Sequence, residues 1–378
     1  MDERRMRTAT IDVNGLGRLI DALADDGYRV IGPTVRDGAI VLAELDSVDQ
    51  LPSGWGVEVA PAEYRLRKRA DTAMFAHSAG PQSWKQFLHP ARRKLWSTDA
   101  EGNGFVPAAD EVPKYAFLGV RGCDLAAIGV LGGVLAGGEH PDGSFLRRRP
   151  LFVVGVNCTE PGGVCFCASM GTGPAVGPGY DLVLTELVDD DGHRFVVDVG
   201  SAQGRRILDR IPARPTAADE AELAQGKVTA AADRMGREMP ATDLAEVMRE
   251  SRESPLWDDI ATRCLNCANC TLVCPTCFCT TTEDVTDLTG EHAERWQRWS
   301  SCFELDFSYL HGGEVRSSGA SRYRQWLSHK LGTWHEQFGG SGCVGCGRCI
   351  AWCPVGIDLT AEAARLSGAA KERLDVDG

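Results

Sequence analysis

Apolar residues follow two rhythms along the first two hundred positions. "IDVNGLGRLIDAL" (Ile11–Leu23) has the three-and-four spacing of an amphipathic helix, whereas "YRVIGP" and "GAIVLAEL" are short apolar runs that read as strands. Together they predict a small βαβ-like or hairpin element at the N-terminus. A clearer unit follows the segment Gly80–Trp96. "KYAFLGV" (Lys114–Val120) predicts a buried strand, "CDLAAIGVLGGVLAGG" from Cys123 a helix ending in glycines, and "PLFVVGVN" (Pro150–Asn157) a second buried strand. Strand, helix, strand implies a parallel crossover, hence an open α/β sheet. "YDLVLTEL" and "HRFVVDVG" add a further pair of strands.

Residues 201–250 change character, rich in Ala, Asp, Glu and Arg, and predict two polar bridging helices. From Pro255 onward the strand signal nearly vanishes. "EHAERWQRWSSCFELDFSYL" and "SRYRQWLSHKLGTWHEQF" predict amphipathic helices, with Trp296, Trp299, Trp326 and Trp334 read as core rather than as electron conduits. The expected organisation is an α/β domain with an open mixed sheet over residues 1–225, then an α-helical domain over residues 226–378.

A chain of 378 residues is long enough for two domains, and 43% hydrophobic with 25% charged residues is ordinary for a globular protein. No apolar run could span a bilayer, so no membrane insertion is expected. The start "MDERRMRTATIDVNGLGRLI" has an Arg pair but neither an apolar stretch nor a cleavage-like site, and a cytoplasmic location is expected. A net charge of −13 argues against a nucleic-acid partner, which would need a concentrated positive face. The basic run "YRLRKR" (Tyr64–Arg69) reads as a solvated edge. No nucleophile–base pair, dinucleotide fingerprint or phosphate loop stands out, and the eight histidines are scattered, so no catalytic residue is assigned.

The cysteines change this picture. There are fifteen, an odd number, in a chain too large to need disulfides in place of a core, which favours metal ligation. Residues 264–275 read "CLNCANCTLVCP" and residues 343–354 "CVGCGRCIAWCP", both with the spacing C-x2-C-x2-C-x3-C-P. Two copies are the signature of a two-cluster ferredoxin module, in which the fourth cysteine of each run ligates the other cluster. Cys264, Cys267, Cys270 and Cys353 are therefore expected to hold one [4Fe–4S] cluster, and Cys343, Cys346, Cys349 and Cys274 the other. Zinc sites use pairs of C-x2-C rather than such triplets. Gly345, Gly347, Asn266 and Asn269 suit the tight turns between ligands.

Seven cysteines remain. Cys123 sits where a predicted strand meets a helix, Cys158 ends the next strand, and Cys165 and Cys167 follow in a glycine-rich loop. Adjacent parallel strands present their carboxyl ends on one edge, so these four thiols are expected to converge on a third [4Fe–4S] site. Asp124 is expected to cap the helix, the alternative being a ligand role. Cys277, Cys279 and Cys302 are one short of a cubane unless a thiol assigned above belongs with them. They are read as small buried residues near the first cluster. "VCFCAS" and "TCFCTT" echo each other.

"RGCDLAAI", "CFCASMGTGP", "RCLNCANCTLVCPTCFC", "SSCFELDF", "SRYRQW" and "GCVGCGRCIAWCPVGID" together resemble the iron–sulfur beta subunits of sulfhydrogenase-type, NAD(P)-linked [NiFe] hydrogenases. The likeness runs from about Tyr64 to Thr360, and the A subunit of anaerobic sulfite reductase is similar. The long interval 275–342 resembles the α-helical ferredoxin domains of large redox complexes. The resemblance implies a non-catalytic electron-transfer subunit with two partners: a flavin subunit that binds NAD(P)H, and the small and large subunits of a [NiFe] hydrogenase. The alternatives it leaves are the corresponding electron-transfer subunit of an anaerobic sulfite reductase, or a non-catalytic iron–sulfur scaffold.

Overall fold

The apolar runs of the first half assemble into an eight-stranded mixed sheet in the computed structural model, which describes residues 8–78, 80–99, 104–110 and 112–377. The Arg pair at the start of the sequence lies outside these residues. Across the sheet run Arg214–Pro215, Thr8–Asp12, Gly192–Val199, Leu182–Asp189, Phe152–Val156, Tyr115–Val120, Arg29–Arg36 and Ala39–Glu44. The strands Leu182–Asp189, Phe152–Val156, Tyr115–Val120 and Arg29–Arg36 are mutually parallel, with antiparallel neighbours outside them. This is the open mixed sheet expected, and helix Gly122–Leu135 makes the crossover between two of its parallel strands.

Every residue of Phe152–Val156 is buried because both faces are covered, which is why that strand reads as an unbroken apolar run. Leu16, Leu19, Ile20 and Leu23 of helix Val13–Asp25 contribute to one core cluster. Trp84, Leu88, Ile128, Leu131 and Phe145 contribute to another, with Trp84 stacked 4.6 Å from Phe117. The first helix starts later than the periodicity suggests. Ile11 belongs to a strand, opposite Phe195, and the Asp12 carboxylate caps the helix by accepting the Gly15 N–H at 2.7 Å.

The polar bridge holds three helices rather than two, Ala202–Leu208, Ala218–Asp233 and Leu244–Glu250, and residue 225 lies within the second. The expectation of an all-helical second half needs correction. "AERWQRW" forms a strand, Ala293–Trp299, paired antiparallel with Thr280–Thr286 on one side and Arg92–Thr98 on the other. One partner strand is rich in threonine and the other lies nearly two hundred positions away, so long-range pairing overrides the local helical rhythm. The other segment is helical as read: Gly319–Ser328, a π-helical turn His329–Thr333, and Trp334–Phe338. Of the four tryptophans read as core, Trp326 and Trp334 are buried, whereas Trp296 and Trp299 are half-buried on their strand.

The basic run is also less solvated than read. Arg65 and Arg67 are exposed on strand Glu63–Lys68, but Arg69 is largely buried and paired with Asp71 at 2.6 Å and Glu160 at 2.8 Å. Among the described residues no helix is long and apolar enough to cross a membrane.

Candidate metal centres

Each ferredoxin-type run is shaped by two residues in the left-handed backbone region. In the first run these are Asn266 (φ 53°) and Ala268 (φ 64°), and at the equivalent places in the second they are Gly345 (φ 67°) and Gly347 (φ 74°). Each run then enters a single helical turn, Asn269–Leu272 or Arg348–Ala351, that carries its third cysteine. Asn269 thus opens the helix, and Ala268 takes the strained position that the sequence gives no reason to assign to it. The winding turns backbone amides toward sulfur: Asn266 N–H lies 3.4 Å from Cys264 Sγ, and Ile357 N–H lies 3.3 Å from Cys353 Sγ.

Three cavities gather the cysteines in the groups expected. Cys264, Cys267, Cys270 and Cys353 line one, walled by Tyr323 and Trp326. Cys274, Cys343, Cys346 and Cys349 line a second, beside Lys330. Cys123, Cys158, Cys165 and Cys167 line a third, beside Arg121 and Arg348. The cavities adjoin: Cys349 lines the first and second, Cys346 the second and third. The third forms where the parallel strands Tyr115–Val120 and Phe152–Val156 end on a common edge. Asp124 caps its helix, its carboxylate accepting the Arg121 N–H at 3.4 Å, and also pairs with Arg348 at 3.1 Å.

The donor sets suit iron–sulfur clusters. Burial pushes the thiols of Cys165 and Cys343 up to about 12 and that of Cys346 up to about 11, so they would ionise as metal binding releases their protons to solvent. Cys274 is held well below the usual thiol range by a hydrogen bond from Cys277, with Lys330 assisting. Tyr323 OH and Trp326 Nε1, in the wall of the first cavity, are buried without a hydrogen-bond partner, as are His77 Nε2 and Ser78 Oγ in the third. Bridging sulfides would accept from such donors. Among the described residues no three Cys, His, Asp or Glu side chains close around a single ion, whereas a cluster spreads its ligands over several irons.

Residues 263–357 match the family model of a 4Fe–4S dicluster domain. Over 334 residues the chain is 30% identical to Sulfhydrogenase 2 subunit beta of Pyrococcus furiosus, an alignment that covers 87% of this chain and 90% of that protein. The chain belongs to the iron–sulfur beta subunits of the sulfhydrogenases. It is accordingly an electron-transfer protein with two [4Fe–4S] clusters in its dicluster region, and the Cys123 group lies outside the matched segment. No solved structure matches the chain.

Cations that the sequence does not flag also surround the cysteines of this sulfhydrogenase-family chain. Lys330 is buried, with Nζ 3.4 Å from Cys274 Sγ, 2.9 Å from Thr276 Oγ1 and 3.1 Å from the Gly342 carbonyl. Burial works against its charge, but the neighbouring thiols of Cys274, Cys277 and Cys343 outweigh it and raise the pKa. Arg348 is buried in the wall of the third cavity, where Asp124, Cys346 and Cys123 hold its charge against burial. Arg121 donates to the carbonyls of Phe75 and His77. Lysines and arginines so common along the chain give no sign of which will face inward. Cys277, Cys279 and Cys302 line none of these three cavities.

Proposed function

We propose that this protein relays electrons through three [4Fe–4S] clusters in series. Its partners on this reading are a flavin subunit that handles NAD(P)H and a [NiFe] hydrogenase module of small and large subunits. The observation that carries the reading is the run of three adjoining cavities, each lined by a cysteine quartet and joined to the next through Cys346 or Cys349. The same linings support the crossed ligation: Cys353 of the second run lines the cavity of the first run's triplet, and Cys274 of the first lines that of the second's.

A [4Fe–4S] cluster accepts and returns one electron at a time without bond rearrangement. The residues of this chain supply the rest. Four thiolates per cavity fix position, the amides of Asn266 and Ile357 stabilise sulfur charge, and Tyr323, Trp326, Phe303 and Leu359 wall the inner side of the first site. Lys330 and Arg348 offset the negative charge that each reduction adds. The partner assignment is favoured over a sulfite reductase by the kinship with a sulfhydrogenase subunit.

The test is anaerobic purification with iron and acid-labile sulfide counting. Three cubanes give about twelve irons per chain. Replacing Cys165 and Cys167 by Ser is expected to remove about four of them, and an unchanged count rules out the third site. Isolation from its native host with nickel-containing subunits supports the partner assignment; isolation with a sirohaem subunit overturns it.

A further inference from the structure

Three of the fifteen cysteines, Cys277, Cys279 and Cys302, remain outside the quartets. We propose that these three thiols and the imidazole of His89 hold a fourth iron–sulfur cluster, a [4Fe–4S] group at the open end of the hairpin formed by Thr280–Thr286 and Ala293–Trp299. This site uses residues separate from the other three and goes beyond the reading above.

The hairpin brings together the segments that carry the donors. Cys277 and Cys279 immediately precede its first strand and Cys302 follows its second. Thr280 stands opposite Trp299, and the next amide, Ser300 N–H, donates to the Cys279 carbonyl at 2.9 Å. His89 is held against the same end. Trp299 Nε1–H donates to its carbonyl at 3.0 Å, and its ring stacks near the Trp299 ring at 24°. The ring also bonds the backbone of Phe278, the residue between Cys277 and Cys279. Its Nε2 is buried with no hydrogen-bond partner, and the residue is 3% exposed. One ring nitrogen tied to a backbone carbonyl and the other left free is the usual disposition of a metal-ligating histidine. Three thiols and one imidazole make the four donors of a cubane.

Charge points the same way. Lys85 is 3% exposed and Lys330 4% exposed. Lys85 Nζ donates to the carbonyls of Cys277 at 3.1 Å and Leu272 at 3.5 Å and lies 3.9 Å from the Trp299 ring centre. Among the described residues neither ammonium pairs with a carboxylate. Lys330 faces the Cys274 quartet, and Lys85 lies near Cys277 and Cys279 as well as Cys274. Both ammoniums already face Cys274, and a second anion on the Cys277 side would lower the cost of burying Lys85 further. A cluster on three thiolates is such an anion. The Cys-Phe-Cys pair here also repeats the pair that lines the third cavity, Cys165–Cys167.

The experiment uses the full chain purified without oxygen. The native count should be about sixteen irons rather than about twelve. Cys279→Ala and Cys302→Ala should each lose about four irons and four sulfides. In native protein, pulsed EPR of the reduced clusters should show a coupled imidazole nitrogen that is absent in His89→Gln. A native count of about twelve overturns the proposal and leaves the three-cluster reading standing; a colourless native chain overturns both. Unchanged counts in both alanine variants also overturn it. If a variant loses all its iron through misfolding, the native count and the nitrogen coupling decide.

Discussion

Lys330 shows how one side chain can set a redox property. Its ammonium lies 3.4 Å from the sulfur of Cys274 in a site closed to water. A fixed positive charge stabilises the more negative, reduced form of a neighbouring cluster, so its removal must lower the midpoint potential. Lys330→Met is expected to shift the cluster on the Cys274 quartet downward by on the order of 60 mV, equivalent to about 1.4 kcal/mol for one electron. Redox titration followed by EPR checks this, with an unchanged iron count showing that the site still assembles. Arg348→Gln should lower two potentials rather than one, because Arg348 stands near both Cys346 and Cys123. The cysteines were legible in the sequence because their spacing is the geometry. Lys330 and Arg348 were not, since nothing local distinguishes an inward cation from a solvated one.

At the level of elements, the second ferredoxin run is a docking site for the loop that carries Cys165 and Cys167. Phe166 N–H donates to the Gly345 carbonyl at 2.9 Å, and Thr172 Oγ1 to the Val344 carbonyl at 2.7 Å. Gly347 has φ 74°, and a Cβ there would lie 2.4 Å from the Val164 carbonyl oxygen. Both the backbone conformation and the close approach demand glycine. Gly347→Val is expected to cost about 1–3 kcal/mol and to empty the Cys123 site, while the Cys264 site keeps its iron. Thermal unfolding and iron counting measure the two effects. The strand-end logic that joined Cys123 to Cys158 could be read in advance, because parallel strands share an edge. The hairpin could not: the three-residue spacing of Ala293, Trp296 and Trp299 favours a helix, and the decision rests with Arg92–Thr98, far away in sequence.

For the molecule as a whole, the two expected domains share more than a linker. Arg92–Thr98 pairs with Ala293–Trp299, Arg348 reaches Asp124, and Lys85 reaches Cys277. Fragments 1–225 and 226–378 expressed separately are expected to be insoluble or iron-poor, and to recover iron when produced together; full iron in either fragment alone would contradict this. The row of cavities also has a direction. Cys267 is exposed and Leu265 beside it is 61% exposed, whereas Cys165, Cys167, Cys274 and Cys343 are buried. Air therefore meets one end of the row first. Damage on exposure to oxygen should be staged, bleaching the Cys264 end while the interior keeps its colour, and the surviving signals would report the depth at which each group lies.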